Sequence, residues 1–200
     1  AAGTSLESVL SGLMQKEESV GILVEQFSST DPTLRQYVIK GLRNFPEIVD
    51  AKATLLQGIR DEHWKVRQES IKAVKELKIA EAVPYLIYRV KNDAEKVIQD
   101  ESYRAIAALN SSEGNEFLIS QLNEKKLGDG KKQKVVEVLL KEGHAGEKEI
   151  LALAKEVVND DKRKNLRYAI GKELSKNPKE NYEEICLMYL NSKDSTTQNL

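Results

Sequence analysis

The sequence predicts an all-α fold, a right-handed α-α superhelix in which antiparallel helix pairs stack one upon the next. Three observations predict it. Apolar residues recur at helical spacings of three and four through nearly the whole chain, and no stretch alternates with the period of two that a half-buried strand needs. Asp31-Pro32, Asp61, Asp93, Asp129, Asp160 and Asp194 each precede a helical pattern, where a short acceptor side chain can cap free backbone N–H groups. Finally, a shift of about 32 residues superimposes Leu34, Val66 and Ile98; Ile39, Ile71 and Tyr103; Leu42, Val74 and Ile106; and Phe45, Leu77 and Leu109, four apolar columns with no inserted gap.

The elements follow in order. Ser5 to Met14 reads as a leading helix, and Glu18 to Phe27 as the first helix of the first pair. Its partner begins at Pro32, whose missing amide donor costs nothing at a first helical position. The second pair joins Glu47–Ile59 to Glu62–Leu77; in the latter Val66, Ser70, Ala73, Val74 and Leu77 form one stripe, with Lys65, Gln68, Glu69, Lys72, Lys75 and Glu76 covering the rest. Ala80 to Val90 opens the third pair and Glu113 to Leu122 the fourth. The second helix of the fourth pair, Asp129 to Glu142, follows a longer turn, Leu127-Gly128-Asp129-Gly130-Lys131-Lys132. Glu147–Val158 and Asp160–Leu174 make the fifth pair, in which Leu166-Arg167 and Ile170 echo Val66-Arg67 and Ser70. About five complete pairs thus run from Glu18 to Asn177 as one repeat domain. A sixth begins at Lys179, includes the helix Tyr182–Leu190 and is cut at Leu200, so a longer parent protein is expected. The final helix should then expose apolar surface that could support end-to-end self-association.

Bulk composition narrows the function. With 40% hydrophobic and 32% charged residues, the chain is that of a soluble, helix-rich protein. A formal net charge of -1 gives no global field toward nucleic acid or an anionic membrane, and no apolar run reaches the roughly 18 residues that suggest a span. One cysteine, Cys186, excludes an internal disulfide and a zinc site of several thiolates, and says nothing of compartment.

The run Asp61…Trp64-Lys65-Val66-Arg67…Ile71-Lys72-Ala73-Val74…Leu77, followed by Ala80…Ala82-Val83-Pro84-Tyr85-Leu86, resembles the HEAT-like repeat. The resemblance covers most of the chain; the second and third pairs carry it best and the fourth worst. It implies a HEAT-like solenoid and a ladder between successive repeats, built from the turn aspartate and the arginine after valine, and it carries these roles onto Asp31 with Arg35 and Asp61 with Arg67. Gln99 occupies the arginine column of the third pair, which breaks the pattern there. A tetratricopeptide reading has a similar period but fails on content: the tryptophan, Leu-Gly and tyrosine signature is missing from the first helices, and Pro84 lies in the first turn of a helix.

Catalytic chemistry finds few candidates. His63 and His144 are the only histidines, and no His-x-x-x-His spacing exists for the metal sites of HEAT-like hydroxylases. His63 reads as a capping or surface residue, His144 as a turn residue, Trp64 as packed at the turn and Cys186 as a buried small apolar side chain. No Ser-His-Asp order, phosphate-cradling loop or dinucleotide fingerprint appears. No enzyme activity, metal or cofactor is expected.

The cationic residues of the second helices are the remaining signal. Lys40, Lys72, Arg104 and Lys172 share one column, while Arg35, Arg67, Lys131 or Lys132, and Arg167 approximate another; in a solenoid these helices line the concave surface, so the columns predict a stripe. The expected function is a non-catalytic scaffold that binds another protein or peptide there, through Gln36, Tyr37, Lys40, Gln68, Lys72, Lys75, Arg104, Tyr168 and Lys172. The alternative is a nucleic-acid groove like that of HEAT-like DNA glycosylases; Glu69, Asp100, Glu101 and Glu137 interrupt the positive run, and exposed aromatics are few, which disfavours it.

Overall fold

The computed structural model describes residues 17–178 and 182–190, and every regular element among them is helical. Eleven α-helices follow one another: α1 Val20–Gln26, α2 Pro32–Leu42, α3 Val49–Gly58, α4 Trp64–Glu76, α5 Val83–Asn92, α6 Lys96–Leu109, α7 Ser112–Asn123, α8 Asp129–Glu142, α9 Glu147–Val157, α10 Lys164–Lys176 and α11 Glu183–Leu190. The expected leading helix 5–14 and the segment opened by Asp194 lie outside the described residues. Two compact units divide between Leu109 and Asn110.

In the first unit, α1 packs on α2, α3 on α4 and α5 on α6, and the pairs stack because second helices meet second helices (α2 on α4, α4 on α6) while α1 meets α3. The second unit repeats the scheme: α7 pairs with α8 and α9 with α10, and α8 lies on α10, α7 on α9 and α9 on α11. Each unit is therefore a two-layered stack of helix pairs, with a core that passes from pair to pair. The apolar columns supply that core. Ile39, Ile71 and Tyr103, and Leu42, Val74 and Ile106, are all buried, each aliphatic contributing roughly 1.5–3 kcal/mol of burial. Phe45, Leu77 and Leu109, expected in the same core, are only half-buried, because they come at the ends of the second helices, where the layer runs out.

Local chemistry sets the helix ends. Asp31 accepts from Thr33 N at 2.9 Å with Pro32 at the first position of α2. Asp61 and Asp93 accept from the amides two residues on, at 2.8 and 2.9 Å, and Asp160 does the same for Lys162. Asp129 differs from expectation: Gly128 occupies the cap and Asp129 lies inside the first turn of α8. Helix α4 closes with Ile79 N donating to Val74 O and Lys78 N to Lys75 O, a paired C-terminal arrangement that forces Lys78 to φ 56. From that bend Lys78 Nζ reaches Ala108 O at 3.0 Å, a cation on the last turn of α6.

Gly58 is where α3 touches α4: a Cβ there would land on Ser70 Oγ and within 3.0 Å of Ile39 Cδ1. Gly146, before α9, has φ 83, and a Cβ would stand 2.8 Å from Leu139 Cδ1.

Candidate functional site

The turn aspartates and second-helix arginines form a ladder, with a register the repeat pattern alone leaves open. Arg35 donates from Nη1 to Ser29 O in its own turn, at 2.9 Å, and from Nε and Nη2 to the carboxylate of Asp61 in the following turn, at 2.9 and 3.0 Å. Arg67 repeats the motif: Nη1 donates to Asp61 O and Glu62 O, and Nη2 to Asp93 Oδ1 at 2.9 Å, with Nε 2.8 Å from Asp93 Oδ2. Each arginine thus pairs with the next repeat's aspartate; the expected pairings of Asp31 with Arg35 and of Asp61 with Arg67 give way to a step of one repeat. The Asp61 carboxylate holds the Arg35 guanidinium above its ordinary range, against the opposing effect of burial. Gln99, in the third pair, keeps only the bond to its own turn, to Asp93 O at 2.6 Å. In the second unit Arg167 donates to Val157 O and Asp160 O, and Arg163 holds Asp129 across pairs at 3.1 Å.

This corrects one of the two expected cationic columns. Arg35, Arg67, Lys132 and Arg167 are buried, at 5%, 7%, 7% and 1% exposure, so they are not available to a partner as a surface stripe. Arg35, Arg67 and Arg167 face the interior at the inter-repeat seam, where the turn carbonyls need donors; Lys131, the alternative to Lys132 in that column, is exposed.

The other column reaches the surface. Lys40 and Lys72 are exposed, Gln36, Tyr37, Lys75 and Arg104 half-buried. The Lys40 ammonium lies 5.3 Å from the centre of the Tyr37 ring. Packing of α4 against α6 brings Lys72, Lys75 and Arg104 around a groove of about 180 Å³ that Ile71 and Glu101 also line. Glu101 Oε1 is already occupied by Gln68 Nε2 at 2.8 Å, so Gln68 is a strut between repeats rather than a free contact. Three cations against one engaged carboxylate leave the groove positive. Tyr168 and Lys172 belong to the second unit; Lys172 is exposed, and the half-buried Tyr168 ring has Lys164 and Arg167 at 5.7 and 5.6 Å.

The chemistry-bearing residues take mostly structural positions. His63 caps α4, its Nδ1 accepting from Lys65 N at 3.2 Å, and stacks at 6.5 Å on the half-buried Trp64. His144 is exposed in the turn after α8. Cys186, expected to be buried, is exposed. The buried stripe of the last helix is Tyr182, Ile185 and Tyr189, and position 186 falls one helical step off it. Among the described residues no group of three His, Cys, Asp or Glu could hold a metal ion, and no helix is long and apolar enough to cross a membrane.

Sequence reasoning missed a second groove, of about 490 Å³, lined by Arg60, Pro84, Tyr85, Tyr88 and Arg89. Its signal was present as Tyr85-Leu86-Ile87-Tyr88-Arg89, where Leu86 is buried and Tyr88 exposed.

Stacked pairs with a seam of turn aspartates and arginines define the class, a helical repeat protein. The chain belongs to the spirochaete HEAT repeat protein family, which matches residues 5–200. HEAT repeats are generally non-enzymatic scaffolds that often take part in protein interaction. No curated protein matches the sequence. Among solved structures, the crystal structure of an engineered protein aligns over 91% of this chain at 18% identity and a TM-score of 0.49. The aligned chain spans 56% of that protein's length.

Proposed function

We propose that the protein is a non-catalytic scaffold whose second-helix surface binds an acidic segment of a partner protein. The observation that carries this reading is the α4–α6 groove, where Lys72, Lys75 and Arg104 stand around one carboxylate that Gln68 already engages. Converging cations focus a positive potential on a small area, and Lys40 with Tyr37 extends the same helix face one repeat earlier. Tyr168 and Lys172 offer a like pair on the second unit. A peptide carboxylate seated between Lys72 and Arg104 would gain charge-assisted bonds.

The test is fluorescence anisotropy with a labelled glutamate-rich peptide, titrated with wild type and with Lys72→Glu/Arg104→Glu. Lys72 is exposed, Arg104 half-buried, and neither joins the ladder, so the fold should persist, checked by circular dichroism. Wild type should bind and the double variant lose about tenfold or more. Equal affinities would count against the groove. Retention on duplex DNA, released steeply by salt, with no peptide binding would replace this reading by a nucleic-acid one.

A further inference from the structure

We infer that the groove of Arg60, Pro84, Tyr85, Tyr88 and Arg89 is a second, separate docking site, and that its occupant is a peptide carrying a carboxylate beside an aromatic or aliphatic side chain. It shares no lining residue with the α4–α6 groove. At about 490 Å³ it can take two or three side chains.

Its charge is set by the ladder. Asp93 is fully buried and accepts from Arg67 Nη2 and from the amide of Glu95, both at 2.9 Å, and from Arg89 Nη1 at 3.2 Å. One carboxylate therefore serves two guanidiniums, and Arg89 brings surplus positive charge to the groove. Its Nε is buried with no hydrogen-bond partner. Arg60, on the turn after α3, is exposed and makes no side-chain hydrogen bond or ion pair among the described residues. Two cations on one small groove, with no acid among the lining residues, select an anion.

Its apolar half is equally specific. Tyr88 is 55% exposed, with the Arg89 guanidinium over its ring at 4.7 Å. Pro84 and Tyr85 complete a wall of stiff side chains that lose little freedom on binding. Tyrosine and arginine around a pocket are the residue types that most often carry interface energy. A bare inorganic anion would leave the tyrosines unused. A nucleic-acid strand would need cations beyond the two that line the groove. The acidic–apolar peptide satisfies both halves.

The experiment is selection of a phage-displayed library of random dodecapeptides on the whole chain, with anisotropy measurements on the enriched peptides. The variants are Arg60→Glu and Tyr88→Ala, both exposed and outside the ladder; Arg89 stays because it holds Asp93. Lys72→Glu/Arg104→Glu serves as the control that separates this site from the one proposed above. Expected are peptides with Asp or Glu next to Phe, Leu or Trp, weakened about tenfold by either variant and by Glu→Gln in the peptide, and unaffected by the control. The proposal is overturned by an enriched set that is basic or lacks the acid, by peptides indifferent to Arg60 and Tyr88, by sulfate or single-stranded DNA competing fully at equal concentration, or by no enrichment at all. Loss of peptide binding in the control alone would assign the peptides to the other groove and likewise overturn it.

Discussion

Asp93→Ala tests the ladder at its most buried rung. The side chain is 0% exposed and anchors the buried Arg67 and the half-buried Arg89. Alanine removes the anion while leaving both cations in place and deprives the Glu95 amide of its acceptor. Breaking a buried pair from one side costs about 3–5 kcal/mol, since the remaining charge is no longer compensated. Arg67→Met should cost less, ~1–3 kcal/mol, because Arg89 and the Glu95 amide still serve the carboxylate. The contact joins the second pair to the third, so the loss falls on a nearest-neighbour interface, and the urea transition followed by circular dichroism should broaden as well as shift. An Asp93→Ala variant whose midpoint and slope match wild type within about 0.5 kcal/mol would refute the claim that this rung couples the two repeats.

Two further outcomes follow. Gly58→Ala should destabilise by ~1–3 kcal/mol, because the new methyl meets Ser70 of α4 and Ile39 of α2; Ser70→Ala alone, whose Oγ makes no hydrogen bond, should change stability by less than about 1 kcal/mol and partly relieve Gly58→Ala in the double variant, as read by urea denaturation. Burial, helped by Asp100, pushes the Tyr103 phenol up to about 12 from 10.0. The folded state then favours the neutral phenol, so its contribution is intact below about pH 10 and drains as pH rises toward 12, by ~3 kcal/mol at most. Thermal melts across that window should fall more steeply for wild type than for Tyr103→Phe; parallel curves would remove Tyr103 as the cause, leaving Tyr182 and Tyr189, whose phenols burial also raises.

The sequence by itself determined the helix pairs and most of their boundaries. Spacing of three and four fixes which face of each helix is apolar, and the turn aspartates and Pro32 fix where helices start, since both effects act within a few residues. The same periodicity marked Lys40 and Lys72 as outward-facing, because a residue's side of a helix follows from its phase. Only the tertiary structure decided the rest, where the answer depends on what a neighbouring repeat supplies. Arg35 and Arg67 share their helices with those exposed lysines, yet they turn inward because the following repeat brings Asp61 and Asp93 to them. Gln68 is spent on Glu101, and Arg60 meets Tyr85 and Tyr88 in one groove, for the same reason: stacking juxtaposes residues some thirty positions apart, and no local pattern in a single helix encodes which of them touch.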